Sequence, residues 1–437
     1  MSPRALRLLL ALCLFCLTPW LHAASPPSPE IPAAAQAAPL DPVAATNAWL
    51  ATVPAAQRAK TDAYFEGGYW LRGWEALVGI ASALLLMVAG VSRRLRDAVE
   101  RRTRRRPLQV VLYAVAALAL LWLLGLPLEI YSGYFREHQY GLSNQDFGAW
   151  FGEALIDLAL TLLLGAAALL GIYAVIDRAP RTWWLWGACL TIAFTLFGSF
   201  IYPPFIAPLF NRYEPVQDAR VRTEVLSLAR AHGVPAEEVY EFNASKQHKR
   251  ISANVAGFGG TMRIALNDNL LNRASLPEVR MVMAHEIGHY VLNHGLKATM
   301  FQVPLFVAMF AFAGRVLASV RTRWALRDAA DVAGFPVLLA AFMAFQFVAS
   351  PLFLNITRMQ EIEADRFGLA ASREPDAFAA VALKLGEYRK LEPGPMEEWL
   401  FYSHPSGRRR VEMAMRFKAE MQREGPAPTA AATAPGR

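Results

Sequence analysis

Six apolar runs, each long enough to cross a bilayer, constrain this chain more than anything else in it. They cover about 74–92, 108–128, 150–176, 183–202, 299–320 and 333–356. A membrane helix needs roughly 20 apolar residues. Prolines such as Pro304 and Pro336 within or at the start of a run do not disqualify it, because neighbouring helices can satisfy the freed backbone groups. The charge content agrees: 55% of the 437 residues are hydrophobic and 18% are charged, against roughly 25% charged in a soluble domain. Mean hydropathy is +0.25. An ordinary soluble enzyme and a disordered chain are both excluded. The expected fold class is mainly α, a polytopic helical membrane bundle with one modest water-exposed domain.

The net charge of +8 does not indicate a nucleic-acid partner. Its arginines cluster in short loops between apolar runs. Loop 93–106 carries Arg93, Arg94, Arg96, Arg101, Arg102, Arg104, Arg105 and Arg106. Arg178 and Arg181 follow the third run, and Arg321, Arg323 and Arg327 follow the fifth. If the runs simply alternate, all three loops share one side, which the positive-inside rule makes cytoplasmic. The loop 129–148, with Glu129, Glu137 and Asp146 against Arg136, then falls outside.

The N-terminus agrees with that orientation. Arg4 and Arg7 precede the apolar stretch Leu8 to Leu21, and Leu21-His22-Ala23-Ala24-Ser25 offers small residues for cleavage. Residues 1–24 read as a secretory signal, with an uncleaved signal anchor as the other reading. The stretch 25–73 reads as a Pro/Ala-rich extracytoplasmic segment, flexible at its start. Residues 74–202 hold four spans, 203–298 a first water-facing region, 299–356 a membrane hairpin and 357–423 a second water-facing region. The tail 424–437 is Pro/Ala/Thr-rich and expected to be disordered. Cys13, Cys16 and Cys189 cannot build a disulfide framework.

The sharpest chemical signal is His285-Glu286-Ile287-Gly288-His289. On a helix, positions i and i+4 sit about 40° apart, so both imidazoles reach one metal. Glu286, beside the first histidine, can touch a water at that metal; this is the HExxH zinc-protease arrangement. Ser275-Leu276-Pro277-Glu278 starts the helix as a capping box with proline in the first turn. His294, nine residues after His285, would point about 180° away on a continuous helix and reads as structural. His138, His232 and His248 read the same way.

Zinc needs a third protein ligand and an open position. The His helix runs into the fifth span, and the sixth span returns to the same face. The first segment after that return is Arg358-Met359-Gln360-Glu361-Ile362-Glu363-Ala364-Asp365. Glu361 and Asp365 share a helix face, whereas Glu363 points about 160° away from Glu361. Glu361 is the expected third ligand, and Asp365 the acceptor that holds a ligand histidine.

With these residues in view, the chain resembles the integral-membrane zinc metallopeptidases typified by the type I CAAX prenyl protease, from about Pro127 to Met413. The matching blocks are Pro127-Leu128-Glu129-Ile130-Tyr131 with Glu137, Gly141, Asn144 and Gln145; Phe205-Ile206-Ala207-Pro208-Leu209-Phe210-Asn211; and Arg263-Ile264-Ala265-Leu266-Asn267-Asp268 with Leu270 and Leu271. The HExxH pentapeptide, Glu361 to Asp365, and Ser403-His404-Pro405 with Arg410 complete the series. The resemblance implies a gluzincin-like zinc metallopeptidase domain with a small β-sheet and one Zn2+ per chain. It implies His285, His289 and Glu361 as ligands, Glu286 as general base, and His404 and Arg410 as aids at the reacting carbonyl.

The family often has Asn-Ala-Tyr before its glycine turn, where this chain reads Ser252-Ala253-Asn254. That departure falls on the expected substrate-binding region, Ala253, Asn254 and Gly257. A peptide is expected to pair with an edge strand near Gly257 to Leu266. Eukaryotic members of the family place catalysis toward the cytosol, whereas the arginine loops here place the zinc domain outside, in a bacterial inner membrane. The expected partners are the lipid bilayer and peptide or membrane-protein substrates, CAAX-like ones among them. The alternative is a non-catalytic scaffold or quality-control binding protein that retains a zinc site; the intact Glu286 weighs against it. A transporter is disfavoured, because there is no repeat and no pair of interrupted half-helices.

Overall fold

The computed structural model describes residues 40–257 and 262–424. The expected signal or anchor at 1–24, and residues 425–437 of the expected tail, lie outside the described residues. So do Gly259 and Gly260 of the expected glycine turn.

Six helices are long and apolar enough to cross a membrane. After a short helix α1 (Pro42–Ala51), capped by the Asp41 carboxylate at 2.9 Å from the Val43 amide, come α2 (Ala55–Val88) and the amphipathic α3 (Val91–Arg102). Three more spans follow: α4 (Arg106–Gln139), α5 (Phe147–Arg178) and α6 (Trp183–Phe210). The water-facing region contains β1 (Tyr213–Pro215), α7 (Ala219–Ala231), β2 (Val239–Phe242), β3 (Ala253–Ala256) and β4 (Arg263–Asn267). It ends with α8 (Asp268–Arg273) and the metal helix α9 (Leu276–Val291). The fifth span is α10 (His294–Val320) and the sixth is within α11 (Phe335–Ser372). Helices α12 (Pro375–Leu385), α13 (Pro395–Phe401) and α14 (Gly407–Glu424) finish the described chain.

Each of the six apolar runs overlaps one of these helices; four fall wholly inside, while 74–92 runs past the end of α2 and 333–356 starts just before α11. The ends differ, because polar residues extend most spans beyond the apolar stretch. Helix α2 begins at Ala55, 19 residues before the first run, so much of 25–73 is helical. Side chains such as Val88, Leu163, Phe197 and Val348 remain exposed on the spans. In a bundle this apolar, such faces meet lipid rather than water.

The arginine loops meet. Loop 93–106 is largely helical as α3, because its residues can anchor to the neighbouring loops. Buried Arg96 donates to Asp331 at 2.7 Å, and Arg327 pairs with Glu100 at 2.7 Å. Arg106 reaches Asp177 at 3.3 Å and also bonds the Ala330 carbonyl. The three basic loops therefore lie on one end of the bundle, as simple alternation of the spans requires.

At the other end sits a four-stranded sheet in the order β1-β2-β4-β3, antiparallel except for the parallel β2–β4 pair. The strand expected at Met262–Leu266 exists as β4, but it is interior. The edge is β3, with Ala253 opposite Leu266 and Val255 opposite Ile264. The expectation that a peptide pairs along Gly257 to Leu266 is corrected accordingly: β4 is already hydrogen-bonded on both sides, the edge strands are β1 and β3, and of these β3 borders the cleft beside His285 through Ala253.

Helix α9 is wedged between two cores. Met283, Ala284 and Ile287 pack with Ile264, Leu266 and Val225 under the sheet, while Met281 packs with Phe378, Val411 and Met415 of the last helices. The capping box forms as expected: the Glu278 carboxylate accepts from the Ser275 amide at 2.6 Å and is held by Lys384 at 2.7 Å.

Candidate metal centre

The rigidity of α9 determines what its histidines can meet. Helix α11 crosses it at Gly368, where a Cβ would come within 3.1 Å of the His285 backbone nitrogen and 2.6 Å of Met281 Cε. A side chain at Gly368 would hold the helices apart. Their close approach brings the residues after the sixth span against the HExxH motif.

There His285, His289 and Glu361 offer ligand atoms that all lie within 4.8 Å of one another. The two Nε2 atoms are 3.1 Å apart. Glu361 Oε2 lies 3.2 Å from His285 Nε2, and Oε1 lies 3.5 Å from His289 Nε2. Each histidine's other nitrogen is engaged. His285 Nδ1 lies 2.9 Å from Asp365 Oδ1, as expected for the carboxylate that orients a ligand histidine. His289 Nδ1 lies 2.9 Å from His294 Nδ1, whose Nε2 is 3.1 Å from Glu363 Oε2. With both Nδ1 atoms facing outward partners, the two Nε2 atoms and a carboxylate converge on one point. Such a set of acceptors fits a cation, and nitrogen with carboxylate oxygen suits zinc.

Burial opposes charge on His285, but the Asp365 and Glu361 carboxylates outweigh it and push the ring up to about 10, so the surroundings that favour a proton on this ring favour positive charge at the cluster. Burial and the neighbouring His285 push His289 down to about 4.

His294 is corrected in its placement. Helix α9 stops at Val291, Asn293 takes a left-handed φ of 55°, and His294 starts α10. The break turns His294 back toward His289 rather than 180° away. It is buried and serves as His289's hydrogen-bond partner, backed by Glu363. The sequence signal for this was Asn293, a residue type that tolerates the left-handed conformation ending a helix.

The remaining expected residues divide. Glu286 borders a cleft of about 190 Å³ beside the cluster, together with Ala253, His404 and Arg410. Burial pushes the Glu286 carboxyl up to about 7, and it has no hydrogen bond or ion pair among the described residues. His404 stands on the loop between α13 and α14, with Nε2 3.3 Å from Glu361 Oε2 and Nδ1 2.9 Å from Ser403 Oγ. Burial, then the cations Arg389 and Arg410, hold it down to about 2. Arg410 is buried, and its Nε and Nη2 are taken by Asp365 at 2.9 Å and Glu361 at 3.3 Å. It therefore braces the two carboxylates while also bordering the cleft. Asn254 follows Ala253 along the edge strand. Gly257 lies beyond the strand's end at φ 113°, exposed, and neither borders the cleft. Arg389, on the cleft wall between His404 and Tyr388, was not anticipated from sequence; no local pattern marks it.

Residues 215–417 match the family model described as peptidase family M48, and residues 47–212 match the one described as CAAX prenyl protease N-terminal, five membrane helices. An uncharacterized metalloprotease of Bacillus subtilis, YhfN, is 30% identical over 336 residues, covering 76% of this chain and 79% of the relative. CAAX prenyl protease 1 of Saccharomyces cerevisiae is 24% identical over 304 residues, covering 65% and 67%. Among solved structures, the crystal structure of S. mikatae Ste24p superposes with a TM-score of 0.70 at 20% identity, covering 83% of this chain and 89% of that one; it shows the same fold.

Proposed function

Because the chain belongs to peptidase family M48, as an integral-membrane metalloendopeptidase of the kind typified by the type I CAAX prenyl protease, we propose that its metal is a single zinc held by His285, His289 and Glu361. The observation that carries this reading is the convergence of two imidazole Nε2 atoms and one carboxylate within 4.8 Å. The non-catalytic scaffold alternative is not favoured: the family is one of peptidases, and a purely structural site has no use for Glu286.

Zinc bound there supplies Lewis-acid polarisation of the scissile carbonyl and a water of lowered pKa. The chain's own residues do the rest. Glu286 takes the proton of the attacking water and passes it to the leaving amine, a task suited to a carboxyl near neutrality. His404 donates from Nε2 to the developing oxyanion. Asp365 and His294 hold the two ligand rings in the tautomer that leaves Nε2 free, and Arg410 keeps Asp365 and Glu361 in register. The substrate is a flexible or membrane-proximal peptide segment, laid extended along the free edge of β3. CAAX-like C-termini are candidates, since relatives carry that name. Purified in detergent, the chain is expected to carry one zinc by elemental analysis and to lose peptide cleavage on chelation, regaining it with added zinc. A zinc-free chain that cleaves at full rate would overturn the reading.

The zinc domain is proposed to face away from the cytoplasm in a bacterial inner membrane. The support is the gathering of the basic loops at the opposite end. A single cysteine placed at exposed Arg102 should resist a membrane-impermeant maleimide in intact cells, while one at exposed Lys60 should react. The reverse pattern would turn the bundle over.

A further inference from the structure

Next to the reaction cleft lies a second cavity, of about 310 Å³, whose charge the peptidase chemistry leaves unused. It is bounded by α2, the end of α4 and the segment around α13. It shares Tyr388, Arg389 and His404 with the cleft, so the two spaces adjoin. Its wall carries three guanidinium groups, Arg72, Arg136 and Arg389, and no Asp or Glu among the described residues.

None of the three is ion-paired among the described residues. Arg72 Nη1 reaches only the Phe401 carbonyl, at 3.3 Å, and its guanidinium lies 6.0 Å from the Phe401 ring centre. Arg136 bonds the Tyr64 carbonyl and lies 4.2 Å over the Tyr64 ring. Arg389 has a ring contact with Tyr388 at 5.8 Å and neither hydrogen bond nor ion pair among the described residues. Of the carboxylates nearby, Glu75 acts on Arg72 and Arg136 through space but forms no hydrogen bond or ion pair with either among the described residues, and two others are committed elsewhere. Glu137 is held by Arg250 and Tyr64, both at 2.6 Å; Glu397 is held by Lys390 at 3.0 Å and Tyr69 at 2.7 Å.

Arg136 is buried and Arg389 half-buried, while Arg72 is exposed. A sequestered charge without a counter-ion is costly, so Arg136 and Arg389 around one cavity, with Arg72 on the same wall, call for an anion from outside the chain. Arginine's planar fork matches a carboxylate in particular. The stacked rings of Tyr69 and Phe401, 3.9 Å apart, give the rest of a bound segment an apolar wall.

We infer that this cavity is a carboxylate subsite of the peptidase, in which Arg389, with Arg72 and Arg136, binds a carboxylate of the segment being cleaved. That carboxylate is either the free C-terminus of a short departing fragment or an Asp or Glu side chain near the scissile bond. The inference rests on the reading that peptide bonds are cut at the His285–His289–Glu361 cluster.

The test uses the full-length zinc-loaded chain in detergent and one quenched-fluorescence peptide core in three forms: neutral with a free C-terminus, neutral and amidated, and amidated with a glutamate near the C-terminus. At least one carboxylate form is expected to exceed the neutral amide in kcat/KM by about tenfold or more, as a charge-assisted hydrogen bond provides. Preference for the free acid assigns the subsite to the C-terminus; preference for the glutamate form assigns it to a side chain. Arg389→Met should pull that ratio to within about twofold of one, and Arg389→Lys should restore part of it, which a merely structural role would not do. If Arg389→Met does not fold, Arg72→Gln serves, with the same loss of preference expected. Equal cleavage of all three peptides by the unaltered chain, or a ratio that survives the substitution, overturns the inference alone. Cleavage of none would overturn the peptidase reading and this inference with it.

Discussion

Glu286→Gln is expected to abolish turnover while leaving the zinc in place. The side chain keeps its size and position on the cleft wall, so the histidines on the preceding residue and about one turn later are undisturbed. What disappears is a group that can take a proton. General acid–base catalysis by a placed carboxyl contributes roughly 10²–10⁴ in rate, and loss of the sole base should lie at the upper end of that range. The measurement is kcat on a reporter peptide together with zinc content. Activity within about tenfold of the unaltered chain would remove Glu286 from the proton-transfer role. Full zinc content with no cleavage would separate that role from metal binding.

The second large effect distinguishes two glutamates that are neighbours in sequence and unequal in position. Glu361→Ala removes an oxygen pair that lies 3.2 and 3.5 Å from the two histidines, and it leaves buried Arg410 with one carboxylate fewer. Zinc should be lost at any affordable concentration, with cleavage lost in proportion. Glu363→Ala acts through His294 on His289 and should weaken zinc by about tenfold, the lower end of what partners of ligand residues contribute. Competition with a chelator of known affinity reads both. Equal losses in the two variants, or a larger one at Glu363, would move the ligand assignment.

The parts of this protein that could be read from sequence were those with a short-range physical signature. Apolar runs report spans because lipid demands them. The HExxH spacing reports a metal because a helix places i and i+4 on one face. Glu361 followed from chain order, since a hairpin returns its two ends to the same side. His404 was reachable only by resemblance; its loop has no periodicity to argue from. The misreadings have local causes as well. His294 was projected along a helix that in fact ends at Val291, and the projection failed at Asn293. The edge expected for a peptide was carried too far along the chain: Ala253 and Asn254 do lie on an edge strand, but Arg263-Ile264-Ala265-Leu266 lies between β2 and β3. Its apolar pattern reflects that burial, which pairing on both sides shows and spacing does not. Arg389 is a case beyond sequence altogether. Its meaning lies in having no ion-pair partner among the described residues, and that is visible only once the surrounding side chains are placed.

The metal cluster is divided between the two ends of one membrane hairpin, with His285 and His289 before α10 and Glu361 and Asp365 in the last turns of α11. Arg410, which braces both carboxylates, comes from α14, the final helix described, and α14 in turn packs against α1 near the chain's start. On the proposed ligand set, therefore, the chain holds no complete centre during synthesis until its sixth span has formed and its last helix has folded back. Activity of that centre would report completed assembly of the whole chain, from α1 to α14.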